Sequence, residues 1–320
     1  MLDNVLRLIA VITVLCLLTT SATRANAGEA VYKGPVTTYG TTQYVLHSAE
    51  IDQNFQIDVA VPLTYEMTEQ KLPVVYVTDS NGFFLVYAGM TRALQLGGEL
   101  PPIILVGIGY EIDNIMEMLS LRNRDLTPSF DKQWTEQAQS APPPLGMSRE
   151  ISTGGADDFL RFIEADVKPF INEKYRTDPD NETIVGYSLG GLFALHVLFN
   201  HSDTFDKFIV GSPSIWWDQA ISFTYEENYA KKHDDLPKRV FISSGSLEET
   251  DDPEDTAKMV TNARVMYARL KERGYPGLEI QHYVFDGETH MSGIAASINR
   301  GLRSVFSGEM AQPQPGNASE

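Results

Sequence analysis

Ser188 lies in the pentapeptide Gly186-Tyr187-Ser188-Leu189-Gly190, with Gly191 behind it, and these residue types in this order can hold a nucleophile. The β-branched run Thr183-Ile184-Val185 before it reads as a buried strand, and Leu192-Phe193-Ala194-Leu195 after it as a buried helix. A serine on so sharp a strand-to-helix turn has its hydroxyl raised above the sheet, and flanking glycines let neighbouring segments approach without a Cβ in the way. The hydroxyl is a weak nucleophile near neutral pH. It needs an imidazole to take its proton and a carboxylate to orient that imidazole and stabilise its charge.

Both partners follow in the chain. The run Arg239 to Ser243 reads as a strand and leads into Gly245-Ser246-Leu247-Glu248-Glu249. Glu279 to Val284 reads as another and leads into Asp286-Gly287-Glu288-Thr289-His290-Met291-Ser292. The order serine, acid, histidine, with the last two on loops after late strands, is that of an α/β-hydrolase. Among the six histidines, His290 is the best placed as base. His196 falls within an apolar helix, His201 and His233 at helix ends, and His47 and His282 inside strand patterns. Glu248 is preferred as the acid, ahead of Glu249, Asp251, Asp252 and Asp286. Otherwise the acidic block from Glu248 to Asp255 reads as a solvated loop.

An oxyanion forming on the substrate requires two backbone N–H donors. Leu189, after the nucleophile, supplies the first, and the helix starting there adds the positive end of its dipole. The second is expected within Asp79-Ser80-Asn81-Gly82, read as a tight turn.

The elements that position these groups begin with Tyr39 to Ala49 and Phe55 to Val61, which alternate apolar and polar residues around Glu50-Ile51-Asp52-Gln53 and predict a hairpin. Pro73 to Val77, Ile103 to Ile108, Thr183 to Val185, Lys207 to Val210 and the two late runs above are short and β-branched, as buried parallel strands are. Ala156, Phe159, Leu160, Ile163, Val167, Phe170 and Ile171 recur every three or four residues and make one helix face. Met259, Val260, Ala263, Met266 and Leu270 keep the same period, and a third helix is read from about Met291 to Val305. The pattern predicts an α/β fold: a mostly parallel central sheet with antiparallel N-terminal strands and helices on both faces. One domain is expected over residues 28–307. Within it, residues 111–153, containing Ala141-Pro142-Pro143-Pro144, read as a long functional loop or cap. The Pro- and Gln-rich tail 308–320 reads as disordered.

The 320 residues, 42% of them hydrophobic, suffice for a large core. Residues 1–27 read as a secretory signal: Arg7, an apolar run from Leu8 to Leu18, and Ala25-Asn26-Ala27 as cleavage site. That run is short for a bilayer span, and no later segment is apolar enough, so no stable membrane anchor is expected. An uncleaved anchor is the alternative. A periplasmic or secreted location follows, with maturation before Gly28. Cys16, the only cysteine, lies in the leader, so the mature chain has no disulfide and relies on its core. Without Arg7, Arg24 and Asp3 there remain 23 basic against 42 acidic residues, a formal charge of −19. That balance argues against nucleic acid or an anionic membrane as partner.

Over nearly all of the mature sequence the chain resembles the esterase D-like branch of the α/β-hydrolases. Beyond GYSLGG the matching motifs are YVTDSNG, VGIGY, RNRDLTPS, GGADDFLRFIEADVKPFI, Ser212-Pro213-Ser214-Ile215-Trp216-Trp217 and FDGETH. Together they are most similar to esterases that hydrolyse trilactone siderophores. The resemblance implies an oxyanion donor from the third residue of the loop after the early strand, here Asn81. Arg122 and Arg124 either line the site, where a guanidinium grips acidic or catecholate oxygens, or form an internal ion pair with Asp125. Trp216 and Trp217 either stack on an aromatic acyl group or fill the sheet–helix core, with at most one of them facing the cleft.

The expected activity is serine carboxylic-ester hydrolysis on a small-molecule ester through Ser188, His290 and Glu248, without cofactor. No metal site is expected, because the sequence holds no close His/Cys cluster. Acyl transfer to an alcohol, polysaccharide deacylation and a non-catalytic binding scaffold are the alternatives. Sequence leaves the oligomeric state open.

Overall fold

Thr41–Ser48 (β1) and Gln53–Ala60 (β2) form the expected hairpin, with Thr41 opposite Ala60 and Ser48 opposite Gln53. Leu72–Val77 (β3), Ile104–Tyr110 (β4), Thr177–Tyr187 (β5), Lys207–Gly211 (β6), Arg239–Gly245 (β7) and Glu279–Phe285 (β8) follow. They join one sheet in the order β1-β2-β4-β3-β5-β6-β7-β8. β1 and β2 run antiparallel to each other, β2 is antiparallel to β4, and every pair from β4 to β8 is parallel. The computed structural model describes residues 37–140, 151–252 and 254–309. The expected leader, the run Ala141-Pro142-Pro143-Pro144 and the tail beyond Glu309 lie outside the described residues.

Side chains alternate across the sheet, as the period of two requires. Val74 and Tyr76 enter one core with Phe159, Leu192, Phe193, Ala263 and Met266. Val75 and Val77 enter another with Phe84, Ile298 and Leu302. Helices Ser80–Leu96 and Gly293–Val305 therefore cover one face, and Ala156–Phe162, Leu189–Asn200 and Met259–Arg273 the other. The helix opened by Ala156 continues through a π turn, Ile163–Val167, into Lys168–Lys174.

The structure adds detail to three of the sequence expectations. Asp79 to Gly82 is the start of the 17-residue helix Ser80–Leu96, not a free turn. Asp79 reverses the chain in a left-handed conformation, φ 59°, so that strand passes directly into helix. The segment 111–153, read as a long functional loop or cap, carries no strand among its described residues but has helices Ile115–Asp125 and Lys132–Ser140. Asn114 starts the first by accepting a hydrogen bond from Met116 N at 3.0 Å. β5 reaches back to Thr177, beyond the β-branched core of the strand. Among the described residues, no helix is long and apolar enough to cross a membrane.

Candidate active site

The parallel strands β5, β6, β7 and β8 are consecutive in the sheet and end on the same side. Ser188, Ser212, Glu248 and His290 all lie just beyond those carboxyl ends. Ser188 joins β5 to helix Leu189–Asn200 with φ 62° and ψ −119°, a backbone that a residue with a Cβ adopts only under strain. Its surroundings hold it there. Ser188 N–H donates to Gly211 O at 3.0 Å, while Ser188 O accepts from Leu192 N at 3.0 Å and Ser214 N at 3.1 Å. The glycines are steric necessities: a Cβ on Gly186 would run into the Gly190 carbonyl, and one on Gly190 into the Thr78 hydroxyl.

β7 ends in a 3-10 turn, Ser246–Glu248, that turns Glu248 inward. The Glu248 side chain is 1% exposed and its Oε2 lies 2.6 Å from His290 Nδ1. Its Oε1 accepts from Gly245 N at 2.5 Å and from Ser212 Oγ at 2.6 Å. Burial alone would raise the Glu248 carboxyl. The bonds from His290, Ser212 and Gly245 outweigh it and hold the group below its ordinary range. Glu249 faces elsewhere, accepting from Thr261 N and Thr261 Oγ1 at 2.6 and 2.7 Å. Asp251 and Asp252 are exposed, and Asp286 contacts Ser246 Oγ at 3.5 Å.

The turns after β7 and β8 are tied to one another. Leu247 N donates to Glu288 O at 3.0 Å and Gly287 N to Ser246 Oγ at 2.9 Å. The His290 ring is part-exposed, and the ring of Tyr187, which precedes Ser188, stands 5.2 Å from it. With Nδ1 facing the carboxylate, Nε2 is the nitrogen left to exchange a proton with substrate or nucleophile.

The starts of helices Ser80–Leu96 and Leu189–Asn200 meet. A Cβ on Gly190 would sit 3.6 Å from Asp79 Oδ2. Backbone N–H groups of Leu189 and of the Asp79–Asn81 segment thus belong to neighbouring helix N-termini, where unpaired N–H groups favour negative charge. The Asn81 side chain is engaged elsewhere: its Nδ2 donates to Tyr110 O at 2.8 Å and its Oδ1 accepts from Tyr110 N at 2.7 Å. Only its main chain is left for an oxyanion.

Both arginines are spoken for. Arg122 forms a bidentate pair with Asp79, and Arg124 Nε and Nη2 reach Asp125 Oδ1 and Oδ2 at 2.6 and 2.9 Å, the internal pair weighed for it. Trp217 is fully buried, 5.0 Å from Trp134, with its indole N–H on Ser129 O at 3.3 Å. Trp216 is half-buried beside it, 5.9 Å between rings. Asp218, Gln219 and Ala220 follow in three successive left-handed conformations.

Sequence spacing missed two groupings. Ser212 and Tyr187 join the carboxylate network, although only their places at strand ends hinted at it. Asp157, His196 and His201 converge with ligand-type atoms within 4.8 Å of one another. Asp157 Oδ1 lies 2.7 Å from His196 Nε2 and 3.1 Å from His201 Nε2, distances that two imidazole N–H donors explain. The other histidines lie away from these groups: exposed His47 contacts Asn54 Oδ1 at 2.8 Å, exposed His233 stacks on Tyr229, and half-buried His282 stacks on Tyr267.

A family model described as "Putative esterase" matches residues 48–302. Ferri-bacillibactin esterase BesA of Bacillus subtilis is 33% identical, over 88% of this chain and 93% of its own. Siderophore triacetylfusarinine C esterase of Aspergillus fumigatus is 31% identical, over 85% of this chain and 95% of its own. The crystal structure of BES protein from Bacillus cereus superposes with a TM-score of 0.72 at 30% identity, covering 87% of this chain and 99% of that one. With its sheet order, its Ser188 turn and these likenesses together, the chain belongs to this esterase family, has the α/β-hydrolase fold and is a carboxylic-ester hydrolase.

Proposed function

We propose that the protein hydrolyses ester bonds of siderophores, with Ser188 as nucleophile, His290 as base and Glu248 as the acid that orients it. The observation that carries this reading is the 2.6 Å contact between His290 Nδ1 and the buried Glu248 Oε2, beside the ring of Tyr187 that precedes Ser188. Ser188 Oγ attacks the ester carbonyl as its proton passes to His290 Nε2, and the Glu248 carboxylate stabilises the resulting imidazolium. The tetrahedral oxyanion is received by Leu189 N–H and a main-chain N–H of the Asp79–Asn81 segment, Asn81 being the residue that the family resemblance favours. His290 then gives its proton to the departing alcohol. Water repeats the sequence on the acyl-Ser188 and releases the acid.

The substrate class rests on relatives named as siderophore esterases over most of this chain. Half-exposed Trp216 is the aromatic surface proposed to meet the acyl part, while Arg124, its fork held by Asp125, is proposed to offer substrate no more than its remaining Nη1 donors. The leader read in residues 1–27 supports action outside the cytoplasm. A panel of a trilactone siderophore, iron-free and iron-loaded, a hydroxamate siderophore ester and a short-chain chromogenic ester tests the reading. Preference for a siderophore by at least about tenfold in kcat/KM over the chromogenic ester is expected. Equal indifference to every siderophore would remove the substrate class while leaving the esterase.

A further inference from the structure

We infer that Ser212 is a positioning residue for the reaction: its hydroxyl, backed by the Tyr187 phenol, fixes the Glu248 carboxylate so that one oxygen is kept for His290. This rests on the proposed roles of Ser188, Glu248 and His290. The two carboxylate oxygens have different occupants. Oε2 faces His290 Nδ1, while Oε1 takes both Gly245 N and Ser212 Oγ. A carboxylate held by a single donor can turn about its last torsion, which is broad. Two donors on one oxygen oppose that rotation, and the lone pair presented to the imidazole stays in place.

Proton counting extends the network by one residue. Ser212 has a single hydroxyl proton, and Glu248 as a carboxylate has none to give. The Ser212 proton therefore goes to Glu248 Oε1. The 2.8 Å contact between Ser212 Oγ and Tyr187 Oη is then made with the phenol as donor. Tyr187, Ser212 and Glu248 form a directed chain whose bonds reinforce one another and which ends at the imidazole.

The backbone agrees with a purpose for this side chain. Ser212 is 1% exposed and has φ 36°, a left-handed conformation in which glycine is the unstrained occupant. Its N–H donates to Ser243 O at 2.7 Å. The same short stretch grips the nucleophile, since Gly211 O accepts from Ser188 N and Ser214 N donates to Ser188 O. Residues 211–214 thus brace the main chain of Ser188 and the side chain of Glu248 together, so that displacement of one is opposed by the other.

The test is a double-mutant cycle on short-chain chromogenic ester hydrolysis with Ser212→Ala, Glu248→Ala and both, supplemented by Ser212→Gly and Tyr187→Phe. Ser212→Gly deletes the hydroxyl while suiting the left-handed backbone, which separates loss of the bond from misfolding. Both Ser212 variants are expected to lower kcat about tenfold, the scale of one bond to a charged group, with KM within about twofold. Tyr187→Phe is expected to lower it by about threefold, as the outer member of the chain. In the Glu248→Ala background, Ser212→Ala is expected to change kcat no further, because it acts only through the carboxylate. Additive losses in the cycle, or a Ser212→Gly enzyme with wild-type kcat, would overturn the inference alone. Wild-type kcat in Glu248→Ala would instead overturn the acid assignment and this inference with it.

Discussion

Arg122 clamps Asp79 with two parallel bonds, Nε to Oδ1 at 2.7 Å and Nη2 to Oδ2 at 2.9 Å, both side chains largely buried. Asp79 is the left-handed residue that turns β3 into helix Ser80–Leu96, beside Gly190 of the Ser188 turn. Arg122→Met would strand a buried carboxylate, so a loss of about 3–5 kcal/mol in urea unfolding is expected. Arg122→Lys is expected to recover only part of it, because an ammonium does not reproduce the planar fork. Stability within about 1 kcal/mol of wild type in Arg122→Met would contradict this role for the pair.

The central strands were legible because they are buried on both faces and so read as short runs without charged residues, as the fully buried Ile104–Tyr110 does. Helix Ser80–Leu96 was not, because it opens with Ser80-Asn81-Gly82, residues that favour turns over helix interiors. Helix Trp217–Ala230 was hidden by its three left-handed residues, a conformation no periodicity reveals. The positions of Ser188 and His290 were readable from neighbouring elements, since each lies on the connection that follows a strand. Adjacent Glu248 and Glu249 differ only in which way a 3-10 turn points them, and that depends on tertiary contacts with His290 and Thr261. The meeting of Asp157 with His196 and His201 joins positions 39 and 44 residues apart, beyond any local pattern.

Gly186→Ala directs a methyl group into the Gly190 carbonyl at the Ser188 turn. The obstacle is backbone, so the turn itself has to move. Loss of at least about 100-fold in kcat is expected, with a lowered thermal midpoint, since even a 1 Å misplacement of reacting groups costs that much. Near-wild-type turnover would show that the turn tolerates a side chain there.

The low-lying Glu248 carboxyl links the site to acid stability. Burial opposes ionisation, but the bonds from His290, Ser212 and Gly245 prevail and bring it below 4.5. A carboxyl depressed in the folded state contributes stability that is complete above its unfolded value and is lost as pH falls through the folded one. Wild type is therefore expected to lose its stability advantage over Glu248→Gln as pH drops below about 4.5, followed by urea midpoints across pH. An advantage that stays constant through that range would contradict the depressed carboxyl.

Asp157 offers a second case away from the catalytic end. The bond from His196 does most to push its carboxyl down to about 2. Its contribution is complete above 3.8 and fades as pH approaches 2, so Asp157→Asn is expected to be destabilising at pH 6 and nearly neutral at about pH 2. The effect is modest, since the side chain is 56% exposed and solvent screens it. A mutant deficit that grows on acidification would have the wrong sign.

The central claim is that the Ser188 oxygen becomes acylated with His290 taking its proton. Rapid acid quench during turnover of a short-chain chromogenic ester, followed by peptide mass spectrometry, reads this directly. Wild type is expected to carry the acyl group on the peptide containing Ser188, and Ser188→Ala and His290→Ala are expected to carry none and to turn over at least about 1,000-fold more slowly. Acylation at another residue, or hydrolysis that survives Ser188→Ala undiminished, would contradict it.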